Sequence, residues 1–440
     1  MAGRLRAGRS TSWLRTSAFM QINLPYGKTF ITVEVPFANL TILEPRFVEG
    51  LADEKSAFSN AVRSPINARL LRRIIGRSDK VAILVPDITR PFPSQRILPW
   101  LFSELSHVRA DNFTVIVGTG SHRPCTPAEL KAMLGAEIVA RYRIVNHNAH
   151  DFKTMLPVGR REDGGTLYMN REYMAADRRI LMGFIEPHFM AGFSGGYKAV
   201  MPGVADINSI LYYHRASVVG HPRSTWGVLE NNPTQELIKK FGSRAPVDFC
   251  VNVTLNRKRR ITGFFCGDPL TAHLKGCEFA RESAMVKCAR RFPVVITTNG
   301  GYPLDQNLYQ SVKGISAAAQ IVDDNGLIVA ACECADGFPA HGNFARLLFE
   351  HNSPQAVLDT VLKPGFSMFD QWEAQLLAMI QVRAKVALFS ALPADEVRRA
   401  HMDYVESLNE YLVSVMRRLG ENTPVAVLPD GPLTIPQIGG

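Results

Sequence analysis

Short apolar segments that end in polar, Gly/Pro-rich loops recur along this 440-residue chain, and that alternation limits its fold more than any other feature. VAILVP (81–86), TVIVG (114–118), RIVN (143–146), RILMGFI (179–185), PVVITT (293–298), LIVAA (327–331) and KVALFS (385–390) have the length of strands buried on both faces. Helical patterns fill intervals at 97–108, 127–142, 270–285 and 305–320, and 394–419 reads as a last amphipathic helix. Thr126-Pro127-Ala128-Glu129 forms a capping box with proline at the first helical position. Near the start, INLPYGKTFITVEVP (22–36) reads as a hairpin about Tyr26-Gly27-Lys28. Strands alternating with helices predict an α/β fold with largely parallel sheets. A break is expected between about 260 and 290, giving lobes 20–275 and 276–440 with a cleft between them.

The formal charge of +10 invites a nucleic-acid reading, so its location matters. Arg4, Arg6, Arg9 and Arg15 lie in residues 1–19, which contain no acid, leaving +6 on the rest. That segment has no continuous apolar core and is a poor secretory signal. It reads as a basic tail, with Met20 as an alternative start. The run Arg257–Arg260 reads as a solvated turn. No apolar run reaches the roughly 18 residues that span a bilayer. Seven cysteines, at 125, 250, 266, 277, 288, 332 and 334, are odd in number and lack metal-binding spacing. They fit buried thiols in a reducing, cytoplasmic compartment.

The chemistry-bearing residues gather where strands end. VAILVP runs into Asp87-Ile88-Thr89-Arg90-Pro91, TVIVG into Thr119-Gly120-Ser121-His122-Arg123-Pro124, and RIVN into His147-Asn148-Ala149-His150. RILMGFI runs into Glu186-Pro187-His188, and PVVITT into Asn299-Gly300-Gly301-Tyr302-Pro303. Ligands bind at the carboxyl ends of parallel strands, so five such loops describe one mouth. Between His188 and Lys198 lies a glycine-rich turn, without the GK[ST] ending of a Walker loop. His214 follows in LYYHRAS. Tyr309, Gln310 and Lys313 share the first turns of a helix, where a lysine could fix a carboxylate. His107, His221, His273, His341, His351 and His401 have no such context, and His147 and His150 read as structural.

Taken together, DITRP (87–91), GTGSHRP (118–124), EPHFMAGFSGGYKAVMPG (186–203), His214, GGYPLDQNLYQSVKG (300–314) and DQW (370–372) resemble the nickel-dependent lactate racemase family. The resemblance covers most of the chain from about Met20. It implies an N-terminal cofactor-binding and catalytic domain, a C-terminal α/β domain and a nickel-pincer nucleotide cofactor. It further implies that Lys198 carries this cofactor covalently through a thioamide and that His214 is the protein ligand to nickel. Asp87, Ile88, Thr89 and Arg90 would contact the nucleotide. His122 and His188 would be the paired acid/base residues, one for each enantiomer. Gln310 and Lys313 would bind the substrate carboxylate, with Tyr309 and Trp372 lining the pocket.

The implied reaction inverts C2 of a 2-hydroxy acid, whether lactate-like, malate-like or a sugar acid. Hydride transfer avoids a carbanion at a barely acidic carbon, while histidines of near-neutral pKa move the hydroxyl proton. The implied partners are this substrate and the proteins that supply the cofactor, with neither nucleic acid nor membrane. A metal-dependent hydrolase built on the same histidines is the competing reading, although no HExxH-type ligand motif is present.

Overall fold

The computed structural model describes residues 20–35, 38–339 and 342–439, so the basic tail and His341 lie outside the described residues. Two six-stranded sheets carry the fold. The first runs Ile261–Gly267, Phe249–Leu255, Arg178–Phe184, Val81–Pro86, Phe113–Gly118, Arg143–Asn146, and only its first pair is antiparallel. The second runs Asp403–Val405, Lys385–Phe389, Val322–Ala331, Phe292–Thr298, Val425–Leu428, Leu40–Ile42, parallel throughout. Inner strands such as Val81–Pro86 read as unbroken apolar runs because helices cover both faces.

Alternate residues serve opposite layers. Ile83, Val85, Val115 and Val117 pack on Ile97, Leu98 and Leu101 of the helix Ser94–Glu104. Ala82, Leu84 and Ile116 pack on Val200, Val204, Ile210 and Tyr213, each large side chain contributing roughly 1.5–3 kcal/mol on burial. This second cluster continues into Ala317, Trp372 and Ile435, so one core spans both halves. A buried hydrogen bond from Trp226 Nε1 to Ser316 Oγ, at 3.0 Å, crosses the same boundary.

Several local expectations hold. The hairpin forms as Met20–Tyr26 and Thr29–Val35, the Thr126 capping box is complete, and Arg257–Arg260 is an exposed turn. All seven cysteines are buried free thiols. Among the described residues, no helix is long and apolar enough to cross a membrane.

Others differ. The stretch 127–142 is two helices, Pro127–Leu134 and Ala136–Arg141, because Gly135 at φ +95° ends the first. The stretch 394–419 is also two, Ala394–Arg399 and Leu408–Leu419. Asp403–Val405 between them pairs with Lys385–Phe389 as an edge strand. Residues 20–42, which the sequence places in the N-terminal lobe, build into the second sheet. Ile22, Leu24 and Val33 pack on Val294, Ile296 and Val329, and Leu40–Ile42 pairs with Val425–Leu428. A three-residue strand carries no periodicity that could announce its partner.

Candidate active site

Val81–Pro86 and Phe113–Gly118 are paired in register up to Pro86 opposite Gly118, so the loops that follow start side by side. Asp87 and His122 meet there, with His122 Nδ1 donating to Asp87 Oδ2 at 2.7 Å. The other oxygen, Oδ1, accepts from the Thr89 backbone N–H at 3.2 Å and its hydroxyl at 2.6 Å, an Asx turn that locks the carboxylate. Burial raises the Asp87 pKa, but the His122 bond and charge, with Thr89 and Arg90, hold it below the usual carboxylate range. The His122 side chain keeps 42% of its exposure while Asp87 keeps 5%.

The next strand, Arg178–Phe184, delivers Glu186 and then His188, which sits in a two-residue ladder with Gly192-Phe193. His188 Nδ1 accepts from the backbone N–H groups of Met190 at 3.2 Å and Ala191 at 3.1 Å, and its ring stacks on Phe189. Burial, then the charges of Lys198, Arg90 and Lys313, push the His188 pKa well down. Burial likewise raises that of Glu186, against the pull of Arg90, Lys313 and Lys198.

Lys198 lies in the short turn Gly196–Ala199. Gly196, at φ +55°, has space only for hydrogen: a Cβ would sit 2.7 Å from the His273 ring. His273 in turn bonds the Ser194 carbonyl, so this glycine seats the turn against protein. Burial, reinforced by Arg90 and Lys313, brings the Lys198 ammonium down to about 7. At neutral pH a large share of it is therefore the free, nucleophilic amine.

His214 ends the helix Ile207–Tyr213, whose start Asp206 caps through Ser209 N. Its Nδ1 donates to the Ile210 carbonyl at 2.9 Å, which leaves the Nε2 lone pair for a metal. Burial, with repulsion from Lys198, lowers its pKa to about 3 despite that bond, so the ring is neutral. Its face stacks on Trp372 at 4.2 Å between centroids.

The second half supplies the remaining groups. Asn307 caps the helix Leu308–Ala318 through Gln310 N, and Lys313 Nζ donates to Gln310 Oε1 at 2.6 Å. Trp372 Nε1 donates to the Tyr309 hydroxyl at 2.9 Å, joining that helix to Gln371–Gln381. Burial lowers the Lys313 pKa, aided by Arg90 and opposed by Glu373 and Glu186. It raises that of Glu373, whose Oε1 is buried without a partner.

A cleft of about 1420 Å³ opens between the two halves, lined by Arg90, Glu186, His188, Trp226, Tyr302 and Lys313 among others. Ile88 and Thr89 also lie on its wall, whereas His122, Lys198, His214, Tyr309, Gln310 and Trp372 do not. Four of the five expected loops contribute to this region. The fifth turns away: His147 is fully buried, bonding the Ala205 carbonyl through Nε2, and His150 faces solvent. The Asp87 carboxylate, which the motif assigns to a nucleotide, is spent on His122 and Thr89, so only the rest of that loop is free for a ligand. Glu186, Asp370 and Glu373 carry no role in the sequence reading. Asp370 is raised to about 6 by burial, with His122 among the groups opposing the rise. In sequence Glu373 is an ordinary first-turn acid, and nothing marks it as buried.

Among the described residues, no three His, Cys, Asp or Glu side chains gather as metal ligands. A metal at His214 would therefore draw its other ligands from a bound molecule. The neutral His214 imidazole and the amine of Lys198 fit a metal-bearing group that is attached through lysine.

Two family models match the chain: the lactate racemase N-terminal domain over residues 26–227 and the lactate racemase C-terminal domain over residues 288–435. Lactate racemase from Thermoanaerobacterium thermosaccharolyticum is 36% identical over 417 residues, covering 93% of this chain and 97% of that protein. The Lactiplantibacillus plantarum lactate racemase is 34% identical, with 93% and 98% covered. The solved lactate racemase apoprotein of T. thermosaccharolyticum superposes with a TM-score of 0.88 at 35% identity, covering 95% of this chain and all of that one. A Thermotoga maritima protein shares the fold at 17% identity, with a TM-score of 0.68 over 89% of this chain and all of that one.

Proposed function

Because the chain belongs to the lactate racemase family of isomerases, we propose that it inverts C2 of a 2-hydroxy acid by reversible hydride transfer. The observation that carries this reading is one electrostatic cluster. It contains a lysine held near neutrality, Lys198, and a neutral imidazole with a free Nε2, His214, and both act on His188. Lys198 would hold the nickel-pincer nucleotide and His214 would ligate its nickel, with Ile88, Thr89 and Arg90 along the nucleotide. When bound, that group supplies the hydride acceptor.

The chain's own residues do the rest. Lys313 and Gln310 fix the substrate carboxylate, a charge-assisted contact in a site that already concentrates positive charge. Tyr309 and Trp372 wall the pocket. His122 and His188 serve the hydroxyl group, and the carboxylate clamp retains the 2-oxo acid while its carbonyl presents the other face. The side chain beyond C2 can be that of lactate, malate or a sugar acid, and the cleft is large enough for each. The cofactor-assembly proteins are the proposed partners and the cytoplasm the proposed compartment.

The test is co-expression with those proteins, peptide mass analysis and a panel of 2-hydroxy acids and aldonates. A mass increase confined to Lys198, about one nickel per chain and inversion of at least one acid are expected. An unmodified Lys198 in a chain that still inverts a 2-hydroxy acid would overturn the reading. A chain active with zinc alone would favour the hydrolase.

A further inference from the structure

His122 and His188 are held by opposite kinds of partner, and this bears on how they share the work. An imidazole nitrogen that donates to a carboxylate carries the proton, leaving its other nitrogen as acceptor. A nitrogen that accepts from backbone N–H groups is bare, leaving the proton on the other side. His122 is the first case, with Nδ1–H on the buried Asp87 carboxylate and Nε2 as a lone pair. His188 is the second, with Nδ1 facing the N–H groups of both Met190 and Ala191, and therefore with hydrogen on Nε2.

We propose that His122 alone takes and returns the hydroxyl proton for both enantiomers, while His188 remains a neutral Nε2–H donor that holds the same oxygen. This rests on the reading above that both imidazoles serve the substrate hydroxyl. In the forward half-reaction the hydroxyl proton passes to His122 Nε2 and the C2 hydrogen leaves with its electron pair to the bound hydride acceptor. The C–O bond becomes a carbonyl, and His188 keeps its proton throughout. The hydride then returns to the opposite face and His122 gives back the proton.

Each residue's surroundings agree. Asp87 is an anion placed to stabilise the imidazolium that forms on His122. His122 is also the more exposed of the two, so it can exchange with solvent between turnovers. His188 faces the cations of Lys198, Arg90 and Lys313 and the ring of His214, none of which favours a positive charge on it. For the ring to become a proton acceptor at Nε2, its proton would have to move to Nδ1, displacing two backbone donors.

Steady-state racemisation cannot separate one base from two. The equilibrium constant between enantiomers is one, so any variant slows kcat/KM equally in both directions. Single-turnover formation of 2-oxo acid from each pure enantiomer can. With enzyme loaded at Lys198, His122→Gln should slow it on the order of 10²–10⁴-fold from both enantiomers, the range for loss of a general base. His188→Gln, which keeps an N–H near the Nε2 position, should slow both alike and on the order of tenfold. Losses confined to one enantiomer in each variant would overturn the proposal in favour of one base per enantiomer. No loss in either variant would instead overturn the assignment of both residues to the hydroxyl. Nitrogen-15 NMR of the wild-type protein, which needs no cofactor, supplies a second readout. A bare Nδ1 and protonated Nε2 on His188, with the reverse on His122, is expected, and a protonated Nδ1 on His188 would contradict the proposal.

Discussion

The loops of the first sheet and the helices beside the second meet at one cleft, yet they are built differently. In the first, each polar atom that orients a reacting group is taken: both Asp87 oxygens, and one ring nitrogen on each of His122, His188 and His214. In the second, capacity is left over. Lys313 has a hydrogen bond to Gln310 but no ion pair among the described residues, and Glu373 buries an oxygen with no partner. A region that must present one tautomer has its hydrogen bonds complete before substrate arrives. A region that must receive a carboxylate keeps a cation in reserve.

Removing the charge that completes the first region should have the largest effect. Asp87→Asn leaves His122 without an anion to stabilise its imidazolium, and kcat should fall on the order of 10³–10⁴-fold with little change in KM. A loss under tenfold would mean that this carboxylate is scaffolding only. Lys313→Met strikes the second region and should act on binding. Loss of a charge-assisted contact costs about 1.5–3 kcal/mol, or on the order of 10–100-fold in kcat/KM, carried mainly by KM. A pure kcat effect would place Lys313 with the first region.

The pH dependence of Lys198 sharpens the contrast further. With its pKa brought down to about 7, acylation of apoprotein by a small reagent should rise about tenfold from pH 6 to pH 8 and then level off. An ordinary lysine would rise about a hundredfold and keep climbing. Competitive labelling read by mass spectrometry distinguishes them. The smallest effect concerns the seam between the halves. Trp226→Phe removes the buried bond to Ser316 and should cost about 1–2 kcal/mol, seen as a lower midpoint in urea with an unchanged slope. A changed slope would indicate that the two halves no longer unfold together.

Much of this was legible in the sequence because strands buried on both faces are apolar throughout and their following loops are not. VAILVP and RIVN are strands over the expected residues, and the loops after four of five strands contribute to the site. What stayed hidden depends on tertiary pairing. Asp87 turns to His122 because two parallel strands end in register, and no local pattern encodes that register. Leu40–Ile42 and Asp403–Val405 are too short to signal a strand, and each exists only through the neighbour it pairs with. Glu373 follows Trp372 as a helix-start acid would, and only packing between two helices reveals that it is buried beside Lys313.

The central claim is that C2 is inverted by hydride transfer within a closed site rather than by proton abstraction. Racemisation of a 2-hydroxy acid in D2O by the loaded enzyme, with C2 followed by mass spectrometry, tests it most directly. Inversion with the original hydrogen retained at C2 is the predicted result. Deuterium entering C2 as fast as the centre inverts would contradict it.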